Sequence, residues 1–261
     1  MKNYKGATIR LTEHWRLDEL PRMSNAVIDG GGEFGIHLAE GAGGGDLVLH
    51  NITLRNVKHL WVHAGAVIDW IDIAGLRILN SLSGVQIDAP SLGGGRVRDV
   101  VVQNLQSDGK VAGLWFGYNS TQQPELPPII VQDFNACALR TTGGKECHAL
   151  ASFAQPIHVS DFDIAGVRGG DAAEAIYTKS SHNVFTSGRV ADSDGQGAIA
   201  LKGRGVEQYA EGSVISASVS IENDKAVWIQ ADNNIVRPKT SGIIKQHKTL
   251  ATGNVIDSEA E

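Results

Sequence analysis

A small residue followed by an apolar–variable–apolar unit recurs along the chain. It reads Gly35-Ile36-His37-Leu38, His59-Leu60-Trp61-Val62, Gly84-Val85-Gln86-Ile87 and Gly113-Leu114-Trp115-Phe116 in the first half. It continues as Ala149-Leu150-Ala151-Ser152, Ala175-Ile176-Tyr177-Thr178, Ala198-Ile199-Ala200-Leu201 and Ala226-Val227-Trp228-Ile229, with a weaker ninth copy at Gly242-Ile243-Ile244. Counted between first apolar positions, from Ile36 to Ile243, the intervals are 24, 25, 29, 36, 26, 23, 28 and 16 residues. All but the last are long enough for one unit of a repeat architecture. Eight repeats are therefore expected, and the ninth is too close to its predecessor to be a full one.

Between these units lies a second strand-like run, such as Leu47–Leu54, Val100–Leu105, Ile129–Phe134, Ile157–Phe162 and Ser213–Val219. Short β-branched runs bounded by Gly, Asn, Asp and Ser are strand signals. Helical periodicity is scarce after Pro21. Two or three short strands per repeat without helices predict an all-β solenoid whose coils stack like strands of a parallel sheet. A β-sandwich also spaces its strands regularly, but it does not require the same residue types at the same offsets in every repeat.

The unit Asp99-Val100-Val101-Val102-Gln103-Asn104-Leu105, followed by Gly113-Leu114-Trp115-Phe116, resembles the repeats of the right-handed parallel β-helix proteins of the pectin-lyase-like superfamily. The resemblance spans about residues 25–245, judged by the repeats. It implies a right-handed parallel β-helix solenoid of about eight coils. It says little about activity, because the superfamily holds lyases, hydrolases, epimerases and phage tailspikes.

A solenoid end exposes an unpaired strand edge that must be covered. Thr12–Leu20 would place Trp15, Leu17 and Leu20 together if helical, with Thr12 as N-cap. Residues 1–24 are thus expected to be a short N-terminal cap, 25–245 the β-helix and 246–261 a C-terminal tail. The longest interval accommodates a loop at Gln122–Pro128. Gly41–Gly45 and Gly93–Gly95 read as turn tips, since neither is followed by the Lys-Ser/Thr of a phosphate-cradling loop.

Composition narrows the partners. The 261 residues carry a net charge of −6, which argues against nucleic acid, whose phosphates require a basic face. No apolar run approaches a membrane span of about 18 residues, so no membrane partner is expected. The first six residues, Met1 to Gly6, contain no apolar h-region, and no signal peptide is visible. Two cysteines exclude a disulfide scaffold. Cys137 and Cys147 flank a loop and either meet at its base or stay as reduced thiols.

Side chains alternate along a strand, so the variable position of each repeat should face away from the core. Down the stack that column is His37, Trp61, Gln86, Trp115, Ala151, Tyr177, Ala200, Trp228 and Ile244. Its aromatic content is unusual for an outward face. Flat rings take the C–H faces of sugars while neighbouring polar groups take hydroxyls and carboxylates. We therefore take His37, Trp61, Gln86, Trp115, Tyr177 and Trp228 as candidate glycan-binding residues. The same stripe would also serve as a subunit interface.

Two residues further on, a second column brings His63 beside Asp88 and Lys179 beside Lys202. The resemblance argues against an acid-pair glycosidase. The places that carry aspartates in polygalacturonase-like members are here Leu82-Ser83, Val111-Ala112 and Gln196-Gly197. Lys202 coincides with the late lysine of that family, but its Arg partner is replaced by Ala200. A lyase or epimerase needs a base and a cation to steady developing charge. Its candidates are Lys202, Lys179 and Arg204, with His63 and Asp88 further up the stack, and stacked lysines would depress one another's pKa. No cofactor is called for. Calcium (Ca2+) would enter only with a carboxylate cluster, for which Asp161, Asp163 and Asp171 are nearest in sequence. Cys137, Cys147 and His148 lack zinc-ligand spacing. Asn51, Asn104, Asp133 and Asp161 recur at what reads as one ladder position and are expected to bond turns.

The function these features suggest is a bacteriophage-type virion surface or tail protein that binds bacterial surface polysaccharide, with degradation of that polysaccharide as an extension of the same role. It would be a homotrimer, with other virion proteins as further partners, and located on a virion or outside the cell. The alternatives are a secreted polysaccharide lyase or epimerase acting on uronic-acid polymers, and a purely structural virion or scaffold protein.

Overall fold

The computed structural model describes residues 3–39, 41, 44–62, 67–88, 91–117, 126–202, 210–247 and 251–257. Among them are strands and turns and no helix. The strands form a 14-stranded sheet, a 10-stranded sheet and a small pair, Val67–Ile68 with Ser91–Leu92. Every pairing is parallel, and strands of the two large sheets alternate along the chain. A sandwich would pair its strands antiparallel. Two long parallel sheets built by successive repeats are the arrangement of a β-solenoid, compatible with a parallel β-helix.

All eight expected units appear as consecutive rungs of the 10-stranded sheet. Their first apolar residues stack in register: Ile36, Leu60, Val85, Leu114, Leu150, Ile176, Ile199 and Val227. Each is buried in the continuous core. The small residue before the unit has a steric cause. A Cβ at Gly84 would run into the carbonyl oxygen of Gly113, and one at Gly113 into that of Ala149.

The repeats of the 14-stranded sheet turn at two columns of left-handed residues. The first column is Asn25, Asn51, Gly75, Asp99, Asp133 and Asp161; the second is Asn56, Asn80, Asn104, Ala138, Gly166 and Asp192, at φ between 48° and 69°. Asn and Asp tolerate this region because their short side chains bond locally. The single ladder expected from the sequence is thus two, with Asn104 in the second and Asn51, Asp133 and Asp161 in the first. Rung-to-rung bonds run along both, Asn51 Nδ2 to Asn25 Oδ1 at 3.0 Å and Asn104 Nδ2 to Asn80 Oδ1 at 3.2 Å.

The N-terminal helix does not form. Trp15–Leu17 is a strand that pairs with Ile36–Leu38, and Leu11, Leu17 and Leu20 enter the core. Pairing satisfies the exposed edge of the first repeat directly, and the period of two in Trp15/Leu17 suits that better than a helical face. The strands Asn3–Lys5 and Thr8–Leu11 likewise join the 14-stranded sheet, as does Val255–Ile256 at the other end. Cys137 is exposed and Cys147 buried, both as free thiols. Residues 122–125 of the expected loop and 42–43 of the glycine-rich tip lie outside the described residues.

Candidate functional site

The outward column is in register over ten rungs: Arg16, His37, Trp61, Gln86, Trp115, Ala151, Tyr177, Ala200, Trp228 and Lys245. The last member is Lys245 rather than the expected Ile244. A bulge between Lys225 and Val227 leaves Ala226 unpaired and shifts the final rung.

Near the N-terminus the column is polar and ringed. His37 lies between His14 and His59, its Nδ1 2.7 Å from His14 Nε2 and its Nε2 2.5 Å from His59 Nε2. The His37 and His59 rings stack with centroids 4.7 Å apart. Burial, with Lys58 nearby, pushes His59 down to about 4. Trp61 donates its indole N–H to Asp88 at 2.6 Å, and Gln86 donates to the same carboxylate. Asp88 is therefore committed to holding Trp61 and Gln86. His63, its expected neighbour, lies outside the described residues.

In the middle, the column is outside the core but covered. Trp115 has no exposed surface, and Ala112, Ala151 and Phe153 join it in a second apolar cluster against which Tyr177 packs. Trp115 is thus no open sugar platform, contrary to the sequence expectation. The alanine at 151 leaves space on the column that larger neighbours fill: His148 stacks on Tyr177 at 4.6 Å and lies 5.6 Å from Trp115.

Toward the C-terminus the chemistry concentrates. Ala200 stands between Tyr177 and Trp228, and around it gather His148, Glu174, Gln196 and Lys202. Lys202 Nζ donates to Gln196 Oε1 at 2.7 Å and forms an ion pair with Glu174 Oε1 at 3.4 Å. Glu174 is 2% exposed. Its backbone carbonyl accepts from His148 Nδ1 at 3.0 Å, which fixes the neutral tautomer with Nε2 bare. Burial pushes His148 down to about 4, raises Glu174 and lowers Lys202, while Glu174 opposes the last shift. The stacked lysine expected to depress Lys202 has another engagement: Lys179 Nζ lies over the Phe153 and Tyr177 rings at 5.4 and 5.6 Å. Arg204 lies outside the described residues.

Trp228 borders a cleft of about 390 Å³ that is lined also by Asp171, Gln196, Lys225, Ile243 and Lys245. Lys245 Nζ lies 4.9 Å from the Trp228 ring centroid, and Lys202 Nζ 5.8 Å. Lys225 Nζ is 3.7 Å from Asp171. Among the described residues, His148 Nε2, Glu174 Oε2 and Trp228 Nε1 are buried polar atoms without a hydrogen-bond partner. Native interiors seldom leave such atoms unmet without water or a ligand to meet them.

No three metal-ligating side chains converge among the described residues. Asp161 accepts from Ser187, Asp163 from Arg189, and Asp171 faces Lys225. No family model, curated protein or solved structure matches the chain.

Of the residues gathered here, the sequence names Lys202 and Trp228 as candidates and does not single out Glu174, His148, Gln196, Lys225 or Lys245. A signal for two of these was present. The position two before the first apolar residue of a unit is His148 in one repeat and Glu174 in the next, whereas the acid search compared three other repeats. Lys245 was hidden by the bulge.

Proposed function

We propose that the protein is a bacteriophage-type virion surface or tail protein that binds bacterial surface polysaccharide, seating an anionic sugar unit at the Trp228 cleft. One observation carries this reading: an aromatic ring borders a cleft lined also by Lys225, Lys245 and Gln196, with the Lys202 ammonium 5.8 Å from that ring. The ring suits the apolar face of a sugar, the ammonium groups its carboxylate or sulfate, and the amide its hydroxyls. The phage-type part rests on the resemblance of the repeats to a superfamily that includes tailspikes. On that reading the two parallel sheets close as a right-handed β-helix of about eight coils, located on a virion or outside the cell, with other virion proteins as neighbours. Assembly as a homotrimer belongs to the same reading. Sedimentation equilibrium should then give about three times 27.7 kDa; a monomer at all concentrations would remove it.

The direct test is calorimetry against a panel of capsular, uronic-acid and neutral glycans. Binding should select anionic members, and Trp228→Ala should weaken it by roughly five- to tenfold, the worth of one stacking platform. Absence of binding across the panel would leave the purely structural class.

A second reading, a secreted polysaccharide lyase or epimerase on uronic-acid polymers, is favoured by Lys202. Its ammonium is held in a largely buried site where burial eases loss of the proton, so the neutral amine can act as a base next to a sugar carboxylate.

A further inference from the structure

Lys202 stands behind the cleft, against its lining residues Gln196 and Trp228, with a buried counter-charge. Its Nζ bonds Gln196 at 2.7 Å and faces Glu174 at 3.4 Å, while also lying over the Trp228 ring at 5.8 Å. Its side chain is only 12% exposed and that of Glu174 2%. The ammonium is thus drawn toward the wall at the moment a ligand in the cleft would need it. The lining itself carries Lys225 and Lys245 against Asp171, so an ammonium released from the wall adds one positive charge to it.

We propose that Glu174 is an acid-operated gate on the Trp228 cleft: ionised, it retains the Lys202 ammonium, and protonated, it releases that ammonium to an anionic group of the ligand. The inference rests on the glycan-binding reading above. Glu174 suits the role because its carboxylate is buried, which makes it take a proton more readily than an exposed one, and its second oxygen, Oε2, has no hydrogen bond among the described residues, His148 Nδ1 standing 3.6 Å away. The groups that face it are few enough to name. From neighbouring rungs come His148 and Glu146, the latter paired with Lys110 at 2.8 Å. Gln196 and Lys202 come from either side of Ile199–Leu201, and Asp171 and Tyr177 from its own repeat. Beyond Lys202 stand Lys225, Lys245 and His247, whose ring is 6.2 Å from that of Trp228. His148 stays neutral down to about 4.

The probe is a sulfated maltotriose, charged throughout the range, with maltotriose as control, titrated by calorimetry between about pH 8 and about pH 5. Wild-type affinity for the sulfated probe should rise roughly fivefold on acidification, the effect of a unit charge at about 4 Å in a water-like dielectric. Glu174→Gln should bind at the acid level at every pH, and Lys202→Gln at the neutral level at every pH. Far-ultraviolet circular dichroism checks that both fold. Should Glu174→Gln fail to fold, wild type against Lys202→Gln decides alone, since a rise that survives loss of the lysine overturns the gate. A rise that persists in Glu174→Gln also overturns the gate. PH-independent binding shared by wild type and Glu174→Gln overturns the gate while the glycan reading stands. Failure of wild type and Glu174→Gln to bind the probe at any pH overturns both.

Discussion

Tyr177 and Trp228 occupy the same outward column two rungs apart, with Ala200 directly between them. At about 4.8 Å per rung the two rings stand about 10 Å from one another along the stack. The methyl of Ala200 is much smaller than either ring and is fully covered, and the paired Lys202, Glu174 and Gln196 gather beside it. Ala151 does the same one aromatic earlier, but there His148 and Phe153 close the gap. The alternation of large and small residues on this column therefore decides where polar groups can be accommodated outside the main core.

A larger side chain at position 200 should have two effects. Ala200 has no exposed surface, so Ala200→Leu must displace the Lys202–Glu174 pair or strain the rung, at about 1–3 kcal/mol. Thermal melts should show a fall of several degrees together with weaker anionic-glycan binding.

Trp115 and Trp228 should behave differently. Trp115→Ala opens a cavity among Ala112, Ala151, Phe153 and His148 and should cost about 3–5 kcal/mol of stability. Trp228→Ala, at the edge of the cleft, should chiefly reduce glycan affinity. Denaturant unfolding and calorimetry on both variants separate the roles. Equal destabilisation with no change in binding would deny Trp228 a ligand role.

Lys202 distinguishes binder from enzyme. If a uronic-acid polymer is cleaved by elimination, ultraviolet absorbance of unsaturated ends should appear with wild type and fall about 10²–10⁴-fold with Lys202→Ala. No absorbance and no loss of polymer size, with and without calcium, would leave a binding protein.

Acid should destabilise the fold through His148 and His59. Both are held near 4, below the ordinary 6.5, so the unfolded chain takes up protons first. Their neutral forms contribute full stability above about 6.5, and it is lost as pH falls toward about 4. Glu174 has the opposite sign, since a raised carboxyl costs stability as pH rises. Melting temperature should therefore fall between about pH 6.5 and 4.5, and His148→Gln should flatten the slope. An unchanged slope would mean that His148 titrates normally.

Ala138 occupies a corner otherwise held by Asn, Gly or Asp, at φ 57°. Ala138→Asn should relieve left-handed strain and raise stability by about 0.5–1 kcal/mol. A lower melting temperature would show that the corner has another constraint.

The repeat itself was legible in the chain. Backbone pairing between coils demands the same apolar spacing in each one, so eight rungs, their inward residues and the order of the outward column follow from the residue pattern alone. What lies across rungs did not follow. Whether Trp115 is open or covered depends on Phe153 and on His148 turning toward the column. Lys202 finds Glu174 rather than Lys179 because a buried ammonium is drawn to a carboxylate 28 residues back in sequence but one coil away. The last rung needed the bulge at Ala226 to bring Lys245 over Trp228. Strand periodicity is a local property of the backbone, and a chain carries it visibly. The partners of a charged side chain are set by burial and by the stacking distance between coils, and these exist only once the chain has folded.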